Sequence, residues 1–95
     1  MSLTLRDAQH LSWKTFRKFE IKGENLNIDK VIKRLSKIAT DLEKKDFKDN
    51  NIKNELSKQF SNLIYYAFVL SEINTINLEE SFLESMDEKI MNSVF

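Results

Sequence analysis

Apolar residues recur at steps of three and four in four separate runs, and this spacing predicts four helices. In the first run, Leu5, Ala8, Leu11, Ser12, Phe16 and Phe19 share a stripe with Trp13 beside it. Thr4 and Asp7 resemble a capping box with Asp in place of Glu, so the helix is placed from about Leu5 to about Phe19. Glu20 to Asn27 holds Gly23 and two asparagines and reads as a loop. Asn27 is then an N-cap for the second run, Ile28, Val31, Ile32, Leu35, Ile38, Ala39 and Leu42, with Asp29 favourable in the first turn. This is the clearest amphipathic pattern in the chain, ending in Glu43-Lys44-Lys45.

Asp46 to Asn50 is a polar connector around Phe47, and Asp49 or Asn50 caps the third helix. Its stripe is Ile52, Leu56, Phe60, Leu63, Ile64 and Ala67. From Leu63 to Leu70 it is apolar nearly all round, which predicts a central position. Ile, Tyr, Phe and Val also favour strands, but the upstream helical period and the lack of a partner strand argue for helix. Asn74 and Thr75 break the run. Asn77 with Glu80 caps a fourth helix, whose inner face is expected at Leu78, Phe82, Met86 and Ile90. Short connections make neighbours antiparallel. The expected fold is all-α, one domain over residues 1–95, a four-helix bundle.

Composition supports this. Pro is absent and Gly23 is the single glycine, which suits helices and disfavours tight hairpins. Fifteen basic and fifteen acidic residues cancel, so no global field favours nucleic acid or a membrane surface, and little opposes self-association. Seven Phe in 95 residues is more aromatic surface than a thin monomer hides, so a homo-oligomer, a dimer first, is expected to complete the bundle. Cysteine is absent, and the lone His10 makes no histidine-rich metal site. No apolar run is long enough to span a bilayer, and the N-terminus lacks a basic-then-apolar leader; a cytoplasmic protein is the expectation.

The segment Ile76-Asn77-Leu78-Glu79-Glu80-Ser81-Phe82 resembles the IDLEEAL-like segment of MazG-like nucleotide pyrophosphohydrolases, an all-α superfamily. Ile38-Ala39-Thr40-Asp41-Leu42 resembles that family's LAEAL-like segment, and Leu3 to Gln9 its first helix, so the resemblance covers nearly the whole chain. It implies that the EExxE motif falls on Lys33 to Lys37 and the ExxD motif on Gln59 to Asn62. In the family these acids hold Mg²⁺ against an NTP. Here the five positions read Lys33, Arg34, Lys37, Gln59 and Asn62: three cations and two amides. Cations repel Mg²⁺, and amide oxygens bring no negative charge to it. The family's later Lys and Asn fall on Ser85 and Lys89, another departure.

The resemblance therefore implies the scaffold without the reaction: a catalytically inactive structural, binding or regulatory module with no cofactor, a nucleotide being one ligand to consider. Two alternatives stand beside it. One is an active pyrophosphohydrolase with a displaced Mg²⁺ site at Asp41 and Glu55, one turn beyond Lys37 and one turn before Gln59. The other is a small helical interaction protein with no nucleotide role.

Plainer readings cover the same residues. Asp29, Lys33, Lys37 and Asp41 fit an exposed charge ladder, which is favoured over a cationic phosphate pocket. Gln59 and Asn62 fit structural hydrogen bonds inside a bundle. Trp13, Tyr65, Tyr66 and Phe68 fit core or interface better than base stacking. His10 fits a surface or edge position, and Glu79, Glu80 and Glu84 fit helix capping and dipole effects.

Overall fold

The computed structural model describes residues 2–21 and 28–94. The described chain forms helices α1 (Leu5–Phe16), α2 (Ile28–Glu43), α3 (Lys53–Ile73) and α4 (Leu78–Val94), with no strand among the described residues. No helix is long and apolar enough to cross a membrane. The expected cap at Asn27 and the turn at Gly23 lie outside the described residues.

Helix α1 begins as its sequence dictates. The Asp7 amide donates to Thr4 Oγ1 at 3.1 Å, and the Thr4 amide donates to Asp7 Oδ2 at 3.2 Å, so two otherwise orphaned amides are satisfied reciprocally. The helix does not stop at Phe19. It widens into a π-helical turn over Arg17–Ile21, and Glu20, expected in a loop, becomes part of it. Asp49 caps a 3₁₀ turn, Asn50–Ile52, that leads into α3, its side chain accepting from the Asn51 amide at 2.9 Å.

The stretch Leu63–Leu70 is helical, lying wholly within α3. Helix α3 is the axis of the molecule and packs against both α1 and α2. Its packing centres on the side that carries Val69, while Phe68 and Ser71 are buried as well. Val69 is fully buried and joins Phe16 of α1 and Val31 of α2, with Trp13, Tyr65, Tyr66, Leu70 and Ile73 packed around them. This side is about a third of a turn away from the stripe read in the sequence, leaving Phe60 and Ile64 half-exposed. The expected inner face of α4 is open in part: Phe82 and Ile90 are half-exposed, while Leu78 and Met86 are partly buried. Helix α4 leans on α1 and hardly meets α3, so little among the described residues covers that face.

The turn between α3 and α4 has a definite geometry. Thr75 sits at φ 54°, in the left-handed region that glycine usually fills. The Thr75 amide donates to the Glu72 carbonyl at 3.1 Å and the Ile76 amide to the Ser71 carbonyl at 2.8 Å. This Schellman pairing satisfies the last carbonyls of α3 and reverses the chain towards α1. The Glu80 amide then donates to Asn77 Oδ1 at 3.3 Å, as the capping pattern predicts.

Two polar hubs hold this thin core together. Gln9 is fully buried. Its Nε2 donates to Glu72 Oε2 and to the Ile76 carbonyl, each at 2.8 Å, and its Oε1 accepts from the Leu78 amide at 3.0 Å. His10 Nδ1 pairs with the other Glu72 oxygen at 2.8 Å, and the Arg6 amide donates to Glu79 Oε2 at 3.0 Å. Helix α1 is thereby fixed to the α3–α4 turn. The second hub is at the far end of α1. Glu20 accepts from Tyr65 Oη at 2.7 Å and Tyr66 Oη at 3.2 Å, and it forms an ion pair with Arg34 of α2.

Candidate functional site

Helices α2 and α3 face each other across a shallow cavity of about 290 Å³. Its wall is Arg34, Lys37, Ile38 and Asp41 from α2, and Gln59, Asn62 and Tyr66 from α3. The four-residue step from Lys37 to Asp41 and the three-residue steps between Arg34 and Lys37 and between Gln59 and Asn62 put these side chains on facing helix surfaces. Four of the five residues singled out in the sequence, Arg34, Lys37, Gln59 and Asn62, therefore meet in one place. Lys33 is exposed and does not line the cavity.

The charge ladder on α2 divides accordingly. Lys37 and Asp41 line the cavity while Lys33 lies outside it, and among the described residues no ion pair joins Lys37 to Asp41. Arg34 is engaged at the rim. Its Nη1 donates to Tyr66 Oη at 3.1 Å, its guanidinium lies 5.8 Å from the Tyr66 ring centroid, and Glu20 neutralises it. Burial pushes the Tyr65 phenol above its ordinary pKa, the neighbouring Tyr66 adds to this, and Arg34 opposes it. Lys37 is thus the cation of the wall that no carboxylate neutralises among the described residues.

Gln59 lines the cavity from α3. It is partly buried, and its Oε1 is buried with no hydrogen-bond donor among the described residues. Asn62 is exposed. No hydrogen bond from either residue crosses to α2 among the described residues, so the expected structural role of the two amides is not seen here.

The donor set does not fit Mg²⁺. The cavity offers one carboxylate, Asp41, two amides and a phenol, beside two cations. Mg²⁺ requires several hard oxygen ligands, and carboxylates to offset its charge. Among the described residues no group of three or more His, Asp or Glu could hold a metal ion. Glu55, the second acid of the displaced-site alternative, pairs with Lys45 and does not line the cavity with Asp41.

Sequence reasoning missed Tyr66 as a wall of this cavity and Glu20 as the carboxylate that restrains Arg34. The tyrosine pair had been accounted for as apolar packing, and its hydroxyls carry the information. Glu20 gave no signal, because it was read as part of a loop and its partners Tyr65 and Tyr66 lie more than forty residues away.

No protein-family model matches the chain, and neither curated proteins nor solved structures give a match.

Proposed function

We propose that this protein is a MazG-like helical module whose α2–α3 site has lost its metal chemistry, and that it works by binding or regulation, as a cytoplasmic homo-oligomer. The observation that carries the reading is the cavity wall. Positions that the resemblance assigns to metal-binding acids come together between two helices, and there they carry Arg34, Lys37, Gln59 and Asn62. An enzyme that hydrolyses nucleotides through Mg²⁺ must offset metal and phosphate charge with carboxylates. With Arg34 held by Glu20, the wall is left with Lys37 beside one carboxylate, Asp41, which is little acid for a divalent metal. Lys37 and the Gln59 acceptor, both without a partner among the described residues, suit a small polar ligand with both an anionic and a donor group.

The test is turnover. Purified protein with Mg²⁺ or Mn²⁺ is expected to release no pyrophosphate from ordinary or modified nucleoside triphosphates, measured by a coupled pyrophosphate assay. Sustained release that disappears in Asp41→Ala or Glu55→Ala would replace this reading with that of a divergent hydrolase.

A further inference from the structure

Three polar groups in the α2–α3 cavity have no partner among the described residues: the Lys37 ammonium, the Asp41 carboxylate and Gln59 Oε1. Their relative places follow from two contacts that cross between the helices. Arg34 meets Tyr66, and Lys45, just past the end of α2, meets Glu55. From Arg34 to Lys45 the chain advances eleven residues, and from Tyr66 to Glu55 it goes back eleven, so the helices run antiparallel in one constant register. Seven residues along that register from Arg34 and Tyr66 lie Asp41 and Gln59, level with each other across the cavity. Lys37 stands one turn away on α2, a step of about 6 Å along the axis.

The charges on this wall balance. Glu20 already neutralises Arg34, which leaves one cation, Lys37, and one anion, Asp41. Lys37 precedes Asp41 by four residues, the weaker order for an ion pair along a helix, and the two do not pair. An anion alone would meet the Asp41 carboxylate, and a cation alone would meet the Lys37 ammonium. Asp41 and Gln59 present acceptors from opposite sides of the cavity, and an ammonium group, with three donors, satisfies both. It also fills the buried Gln59 acceptor, which otherwise costs stability. A carboxylate one carbon away from that ammonium then reaches the long Lys37 side chain. Ile38 and the Tyr66 ring supply the apolar part of the wall. The cavity, about 290 Å³, has the liquid volume of roughly ten waters, which suits a molecule of about a dozen non-hydrogen atoms.

We propose that this cavity binds a free α-amino acid as its zwitterion, with the ammonium between Asp41 and Gln59, the carboxylate on Lys37, and an apolar or aromatic side chain against Ile38 and Tyr66. The inference rests on the metal-free binding module of the reading above and names its ligand class. A polyphosphate matches the wall less well, because it brings several negative charges to a surface whose own charges cancel.

The experiment is titration of isotopically labelled protein with L-phenylalanine, followed through its amide chemical shifts by NMR. Two analogues that each keep one charge are run beside it: hydrocinnamate, which lacks the ammonium, and phenethylamine, which lacks the carboxylate. L-Phenylalanine is expected to bind with a dissociation constant on the order of 1 mM, shifting the amides around Lys37, Asp41 and Gln59, and each analogue should bind roughly ten-fold more weakly. Removing one charge from the wall should change the preference. Asp41→Asn should bind hydrocinnamate as tightly as L-phenylalanine, and Lys37→Gln should do the same with phenethylamine. Gln59→Leu should weaken L-phenylalanine binding by roughly ten-fold without lowering the urea midpoint, since it removes a buried acceptor that has no donor among the described residues. Circular dichroism checks that each variant keeps its helices. No shift of the cavity amides at tens of millimolar L-phenylalanine overturns the ligand assignment and leaves the metal-free reading standing. An analogue that binds the wild type as tightly as L-phenylalanine overturns the zwitterion. Pyrophosphate release in the turnover assay overturns the reading above and this inference with it.

Discussion

Gln9→Leu should lower the stability of the fold by about 3 kcal/mol, read as a shift in the urea midpoint with an unchanged slope. Leucine is close to glutamine in volume, so the loss is one of polar pairing and not of a cavity. Without the amide, the Leu78 backbone amide and the Ile76 carbonyl lose their partner, and Glu72 loses one of its donors. Each group left buried without a partner costs about 1–3 kcal/mol. Gln9→Glu should destabilise too, because its carboxylate would face Glu72 and would accept where Gln9 donates. An unchanged midpoint in Gln9→Leu would mean that the α3–α4 turn holds its place without α1.

Glu20→Ala is expected to cost about 2 kcal/mol, since it removes a carboxylate that accepts from two phenols and pairs with a guanidinium. The figure is smaller than for Gln9 because the Arg34 side chain is 47% exposed and water replaces much of what Glu20 gives it. The Tyr65 side chain is less exposed than Arg34, so water replaces less of its bond. A double-mutant cycle of Glu20→Ala with Tyr65→Phe should therefore show a larger coupling than one of Glu20→Ala with Arg34→Ala. Equal couplings would place the hub's strength in the ion pair instead.

The helices were legible in the sequence because their determinants are local. Thr4 and Asp7 are three residues apart, and the box they form is the one observed. The apolar period from Ile28 to Leu42 likewise falls within one helix. The Gln9 hub was not legible, because Gln9 meets Glu72 and Ile76 across more than sixty residues of chain. One signal was present: Gln9 lies four residues after Leu5 and seven before Phe16, on the apolar stripe of α1, where a polar residue needs partners.

The candidate site was legible in part. Helical spacing placed Arg34 and Lys37 on one surface, and Gln59 and Asn62 on another. That these surfaces face each other depends on how α3 is rotated, and amphipathic spacing fixes that only roughly. The same rotation leaves Phe60 and Ile64 bare. Apolar spacing tells which side of a helix avoids water, and not which element covers it.

Under the proposed function, the wall between α2 and α3, with Lys37 beside the single carboxylate Asp41, takes up no divalent metal. Titration with Mn²⁺, followed by the loss of its free electron paramagnetic resonance signal, tests this on two proteins. Wild type is expected to leave the Mn²⁺ signal intact, whereas Lys37→Glu/Gln59→Glu/Asn62→Asp, which sets three new acids around Asp41, should bind one Mn²⁺ per chain. One Mn²⁺ bound per wild-type chain and released by Asp41→Ala would contradict the account.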